Sequence, residues 1–163
     1  MKNIYIDIDG VIADFSTHLF NYLNIKDKSK PTQWNDVRVI DNFHLIENDI
    51  DFWLSIPTLP TPSLEFISGY CTARPIPSEI TEKWLELNGF QKRKVITVGY
   101  NNSKLDALKE VGCEVFLDDS PHNFAELNKG GIKTYLFDAT YNKNVDDKGL
   151  RVKTIDEFKE KIL

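Results

Sequence analysis

Two cysteines in 163 residues, Cys71 and Cys113, cannot form a disulfide framework of several bridges, and no CxxC pair is present. Reduced, buried thiols are expected. No run of 18 apolar residues exists, so no helical membrane span is predicted. The N-terminus enters a strand pattern at once without a signal-peptide profile, and a cytoplasmic protein is the expectation. Basic residues are outnumbered, 20 against 25, for a net charge of −5. That balance speaks against gripping duplex nucleic acid, which requires a concentrated basic face. Three histidines without His-x-x-x-His spacing argue against zinc, and no Gly-x-Ser-x-Gly or cysteine–histidine arrangement marks another hydrolase class. Gly130-Gly131 has no following lysine–serine pair, so it reads as a helix-to-strand turn and not a phosphate loop.

What remains is ordinary in amount and specific in order. A composition 41% hydrophobic and 28% charged suits a soluble globule, and the length suits one domain with a real core, residues 1–163. Short apolar runs alternate with helical patterns, which predicts an α/β fold with a parallel sheet. Helices are predicted over Ser78–Gly89 (Ile80, Trp84 and Leu87 inward), Ser103–Gly112, Ser120–Lys129 and Thr154–Leu163 (Ile155, Phe158 and Ile162 inward). Thr154 and Glu157 form a capping-box pattern, as do Ser103 and Asp106. Asn142–Gly149 reads as a charged surface loop.

Four strand ends carry chemistry. Asn3-Ile4-Tyr5-Ile6 runs into Asp7-Ile8-Asp9-Gly10, two carboxylates two residues apart with a glycine that lets the chain turn beside a bound anion. An Asp-Gly surface turn is the alternative. The apolar stretch from Phe66 ends at Thr72, ahead of Arg74 and Pro75. Lys104 follows Val95-Ile96-Thr97-Val98 and opens a helix, where a cation opposes the macrodipole. On that ground alone its removal would stabilise the helix, so the position asks for an anion to neutralise. Val115-Phe116-Leu117 ends in Asp118-Asp119, followed by a capping Ser120 and Pro121. Ligands of open α/β sheets bind beyond such strand ends.

Acid pair, hydroxyl, lysine and acid pair, in that order over nearly the whole chain, resemble the four motifs of the haloacid dehalogenase (HAD) superfamily. Asp7-Ile8-Asp9-Gly10-Val11-Ile12-Ala13-Asp14-Phe15 is similar to the first motif of its 5'(3')-deoxyribonucleotidase group. Phe52-Trp53-Leu54, Leu117-Asp118-Asp119 and Leu136-Phe137-Asp138 with Tyr141-Asn142 match that group more loosely. The resemblance implies a HAD-like, Rossmann-like sheet and a magnesium-dependent phosphatase. Asp7 would be the nucleophile and Asp9 the general acid and base. Thr72 and Lys104 would hold the phosphoryl group. Magnesium would take the Asp7 carboxylate, the Asp9 carbonyl and Asp118 or Asp119. Dehalogenases of the superfamily lack an acid at the position of Asp9, since a halide leaves without a proton.

Between Asp14 and Pro62 the alternation lapses into a stretch rich in aromatic residues, including Phe15, Trp34, Phe43, Phe52 and Trp53. Inserted after the first motif, it resembles a small helical cap, about 15–62. Trp53, with Phe43 or Trp34, is its candidate platform for a nucleobase; packing within the cap is the alternative. Arg74 is a candidate contact for a substrate phosphate, or a surface arginine before a turn. Relatives place a full helix before the second-motif strand, whereas Pro57–Ser63 leaves room for almost none. The expected substrate is a small phosphomonoester, foremost a nucleoside monophosphate. A 3'-phosphatase on nucleic-acid ends and a silent binding scaffold stay open.

Overall fold

The computed structural model describes residues 1–163. Its strands are β1 (Ile4–Ile6), β2 (Gly69–Thr72), β3 (Lys94–Thr97), β4 (Val115–Asp118), β5 (Lys133–Phe137) and β6 (Arg151–Val152). All pair in parallel, in the order β3-β2-β1-β4-β5-β6. The order reverses beside β1, so the connections leave β1 and β4 in opposite senses. A crevice therefore opens beyond the carboxyl ends of those two strands. The helices are α1 (Phe15–Tyr22), α2 (Val37–Ile40), α3 (Phe43–Ile46), α4 (Ile50–Leu54), α5 (Ser78–Leu87), α6 (Leu105–Glu110), α7 (Pro121–Lys129) and α8 (Ile155–Ile162). None is long and apolar enough to cross a membrane.

β1 and β4 are buried along their whole length, as central strands covered on both faces must be. The strand after the insertion begins at Gly69, three residues beyond Phe66, which lies in a turn. A Cβ at Gly69 would come within 2.4 Å of the Tyr5 ring and 2.7 Å of the Lys94 carbonyl, so close strand packing selects glycine there. No helix occurs between residues 55 and 68. The chain instead runs antiparallel to the turn after β1, with Asp14 N–H donating to Pro57 (2.8 Å) and Leu59 N–H to Ile12 (2.9 Å).

Four short helices, α1 to α4, lie between β1 and β2. Leu19, Phe20, Ile46, Phe52, Trp53 and Ile56 share one continuous cluster of 25 buried residues with Ile4, Ile6 and Ile8, so the insertion and the sheet have a common core. That continuity limits how far the insertion can move independently.

Helix ends follow local chemistry with small departures. Ser120 Oγ accepts from Asn123 N–H (3.2 Å) and Thr154 Oγ1 from Glu157 N–H (3.0 Å). Glu157 returns its bond to Lys153 N–H, one residue earlier than the capping box predicts. Ser103 Oγ accepts from Leu105 N–H (3.1 Å), but Lys104 itself is the cap residue of α6 and Asp106 closes no box. On α5 the buried residues are Thr81, Trp84 and Leu85, while Leu87 is 63% exposed. Trp84 Nε1 donates to Ile56 (2.8 Å) and thereby fixes the helix rotation against the insertion.

Candidate active site

Asp7 extends β1, its N–H donating to Leu117 (2.9 Å), so its carboxylate emerges beside the end of β4. The chain then turns tightly: Ile12 and Ala13 N–H both donate to Ile8, and Gly10 takes a φ of +81°. A Cβ on Gly10 would lie 1.9 Å from Asp119 Oδ2 and 2.7 Å from the Tyr141 hydroxyl. Glycine is therefore required twice, by conformation and by contact.

The crevice gathers Asp7, Asp118 and Asp119, whose carboxylate oxygens lie within 4.8 Å of one another, all buried. Lys104 Nζ sits 3.0 Å from Asp7 Oδ1 and 3.0 Å from Asp118 Oδ2. The anion that its helix position asked for is thus supplied by the protein. Burial, reinforced by Asp118, raises the Asp7 carboxyl to about 7 even against the pull of Lys104. Burial and Asp7 likewise hold Asp119 well above the usual carboxylate range. Burial opposes the charge of Lys104, but the two acids outweigh it and raise the ammonium's pKa. With one lysine among three acids, the cluster remains short of positive charge.

The two fourth-motif acids differ in what they have free. Asp118 accepts from Lys104, Asn123 Nδ2 (3.0 Å) and Ser120 N–H (2.9 Å). Asp119 Oδ2 accepts from the Tyr141 hydroxyl, while Asp119 Oδ1 is buried without a partner. An orphaned carboxylate oxygen inside an acid cluster fits an absent cation. Asp119, Asp7 and the first-motif backbone would hold it.

Asp9 departs from the cluster. The turn at Ile8–Gly10 carries its carboxylate to Arg74, whose Nε and Nη2 donate to the two oxygens at 2.9 and 2.8 Å. The Arg74 guanidinium is fully buried, lies 5.2 Å from the Trp53 ring and 5.1 Å from the Trp84 ring, and leaves Nη1 unpartnered. It is not a surface arginine, and Asp9 occupies two of its donors, while its side chain lines a small cavity shared with Phe43 and Trp53. Thr72 is buried at the end of β2, its Oγ1 accepting from Arg74 N–H at 3.2 Å, which leaves the hydroxyl proton free.

The aromatic residues sort by burial. Trp53 is 1% exposed, donates from Nε1 to Ile46 (2.9 Å) and stacks on Phe15 at 5.7 Å, so it packs the shared core, while its edge lines a small cavity of about 130 Å³ with Phe43, Asp9 and Arg74. Phe43 stacks at 4.1 Å on Tyr100, a residue the sequence motifs did not single out, just past β3. Trp34, by contrast, is 51% exposed and lines a cavity of about 370 Å³ that reaches Asp9, Gly10 and Asp119. Tyr141, Lys30 and Lys143 share its walls with Asp14, Asp36 and Asp138.

Tyr141 and Asn142 had entered only as part of a motif. Asn142 is buried, which corrects the surface reading of that end of its loop. Cys71 and Cys113 are buried and unpaired, and burial pushes both thiols up to about 12. His18 lies against Phe52 and Ser55, burial lowering its pKa, while His122 is solvated beside Glu126; neither reaches the cluster.

Sheet order, insertion point and the placement of acids at the switch point together define a HAD-like fold. An L-2-haloacid dehalogenase superposes with a TM-score of 0.66 at 10% identity over 100% of both chains. A HAD phosphatase from Thermococcus onnurineus gives 0.57 at 16%, covering 98% of this chain and 97% of its own. A HAD-superfamily hydrolase of subfamily IA from Geobacter sulfurreducens gives 0.54 at 13%, covering 100% and 97%. No family model and no curated protein matches the sequence. At such identities the likeness is one of fold, and dehalogenases and phosphatases share it.

Proposed function

We propose that the chain is a magnesium-dependent phosphomonoesterase acting through an aspartyl phosphate, with nucleoside monophosphates as substrates. The observation that carries this reading is the convergence of Asp7, Asp118 and Asp119 around one lysine, with a free oxygen on Asp119. Asp9 favours a phosphatase over a dehalogenase, because an alkoxide needs a proton to leave and a halide does not.

Lys104 holds Asp7 Oδ1, which leaves Oδ2 to attack phosphorus. The ester P–O bond breaks and the alkoxide takes its proton from Asp9. Water, losing a proton to Asp9, then attacks phosphorus and releases Asp7 and inorganic phosphate. Thr72 donates its free hydroxyl proton to a phosphoryl oxygen. Asp9 lines the cavity that would hold the leaving group, and to serve as acid and base it would have to leave the Arg74 fork for that oxygen. A bound magnesium ion would supply charge stabilisation to the phosphoryl oxygens.

For the base, Trp34 offers the most exposed ring of the candidate platform residues, and the cavity volume of about 370 Å³ lies in the range of small-ligand sites. Five acids beside two lysines make a poor track for a polyphosphate backbone, which favours a mononucleotide over a nucleic-acid end and disfavours duplex. A silent scaffold would keep three buried carboxylates at a cost with no return.

The test is hydrolysis of a phosphomonoester panel with and without magnesium, by the native chain and by Asp7→Asn. Magnesium-dependent turnover on nucleoside monophosphates that falls by orders of magnitude in Asp7→Asn is expected. Retention of more than a few per cent of that turnover refutes the nucleophile.

A further inference from the structure

We propose that Tyr141 is a positioning residue for Asp119, and that the loop between β5 and β6 thereby tunes the affinity of the acid cluster for a divalent cation. The inference rests on the metal-dependent reading above, but concerns groups that touch no substrate phosphorus.

Asp119 is held at two points by consecutive residues of that loop. The Tyr141 hydroxyl donates to Oδ2, and Asn142 Nδ2 donates to the Asp119 carbonyl (3.0 Å) as well as to Phe137 (2.8 Å). Backbone and carboxylate are thus fixed together, and rotation of the carboxylate about its last bond is stopped. What this grip leaves over is Oδ1, buried, without a donor and inside the cluster with Asp7. In a metal-free protein such an atom is unfavourable, since buried polar atoms otherwise find partners. With a cation the same atom is a ligand already aimed.

The loop has its own anchor. Arg151 donates from Nη1 to Asp138 (2.7 Å) and to Asn142 Oδ1 (2.9 Å), from Nη2 to the Asn142 carbonyl (3.0 Å) and from Nε to Asp147 (2.8 Å). Ala139 N–H donates to the same Asn142 Oδ1 (3.0 Å). An otherwise irregular segment is therefore rigid where it meets Asp119. The missing side chain at Gly10 completes the arrangement, because any Cβ there would displace both the Tyr141 hydroxyl and Asp119 Oδ2. Groups that orient a metal ligand are worth about 10–100-fold in metal affinity.

The test titrates the full chain with Mn²⁺ by calorimetry, with Mg²⁺ in competition, for the native protein, Tyr141→Phe and Arg151→Gln. Tyr141→Phe should bind Mn²⁺ about 10–100-fold more weakly while its metal-free circular dichroism is unchanged, a difference that a purely structural tyrosine would not produce. Arg151→Gln, remote from the cluster, should weaken binding in the same direction. Equal Mn²⁺ affinity in Tyr141→Phe and the native chain overturns the proposal. Should Tyr141→Phe not fold, the native chain's tyrosine ultraviolet difference spectrum on Mn²⁺ addition decides: a perturbed band supports the contact, and a silent band on a cation-binding chain overturns it. A native chain that binds no cation removes both this inference and the metal-dependent reading. Cation binding that weakens in Tyr141→Phe, in a chain without phosphatase activity, removes the phosphatase alone.

Discussion

Replacing Lys104 by methionine sets two effects of different size against each other. The helix-dipole contact at the start of α6 is worth about 0.3–1 kcal/mol and its removal is stabilising. Lys104 also bridges Asp7 and Asp118 at 3.0 Å each while only 2% exposed. Breaking a buried ion pair by deleting one partner costs about 3–5 kcal/mol. The second effect wins, so Lys104→Met should unfold earlier, by about 6–20 °C at 2–4 °C per kcal/mol for a domain of this size. The deficit depends on pH. The Asp7 carboxyl is raised to about 7 in the folded protein against an ordinary value of 3.8, so the folded state binds its proton more tightly than the unfolded state. In the native chain stability is then lost as pH rises from about 4 to about 7; because Lys104 pulls the Asp7 value down, its removal carries the upper end of that window higher, and the uncompensated charge left by Lys104→Met grows as pH rises through it. Thermal unfolding followed by circular dichroism at pH 5 and pH 8, with Lys109→Met as control, measures this. A Lys104→Met protein at least as stable as the native chain at pH 8 would refute the buried-pair reasoning.

The metal-free native chain should itself lose stability between pH 5 and 8 as Asp7 ionises, and magnesium should restore it with a larger gain at pH 8; an identical shift at both values contradicts the assignment of Asp7 to the cation. Trp34→Ala should lower kcat/KM for nucleoside monophosphates about 10–100-fold, as loss of a stacking partner worth 1–3 kcal/mol predicts, and spare glycerol phosphate; equal losses on both substrates refute the platform. Trp53→Ala should instead destabilise by about 3–5 kcal/mol, read in urea unfolding, with no selective loss for the nucleotide. Gly10→Ala, forced to a φ of +81° and against Asp119, should lose Mn²⁺ binding and turnover together, and normal Mn²⁺ affinity in that variant would show that the contact is not obligatory.

Much of the site was legible because it lies at strand ends, and where a short apolar run stops is a local property of the chain. Ile4–Ile6 followed by Asp7, Val115–Leu117 followed by Asp118 and Asp119, and the capped starts of α7 and α8 all express such local patterns. Regular alternation of these runs with helices was enough to specify a parallel α/β sheet. Which side chain meets which was not legible, because that depends on strand order and on the rotation of packed helices. Arg74 finds Asp9 across 65 residues, and Tyr141 finds Asp119 across 22, through a crevice that exists only once β1 and β4 are neighbours. Nor do aromatic residues announce their fate: Trp53 and Trp34 carry the same indole, yet the packing of the insertion on the sheet buries one and leaves the other half exposed at the cavity. The residues that supply the proposed chemistry were thus determined locally, while their partners and the placement of the specificity surface were decided by tertiary burial, where desolvation and hydrogen-bond pairing select among groups that the sequence leaves equivalent.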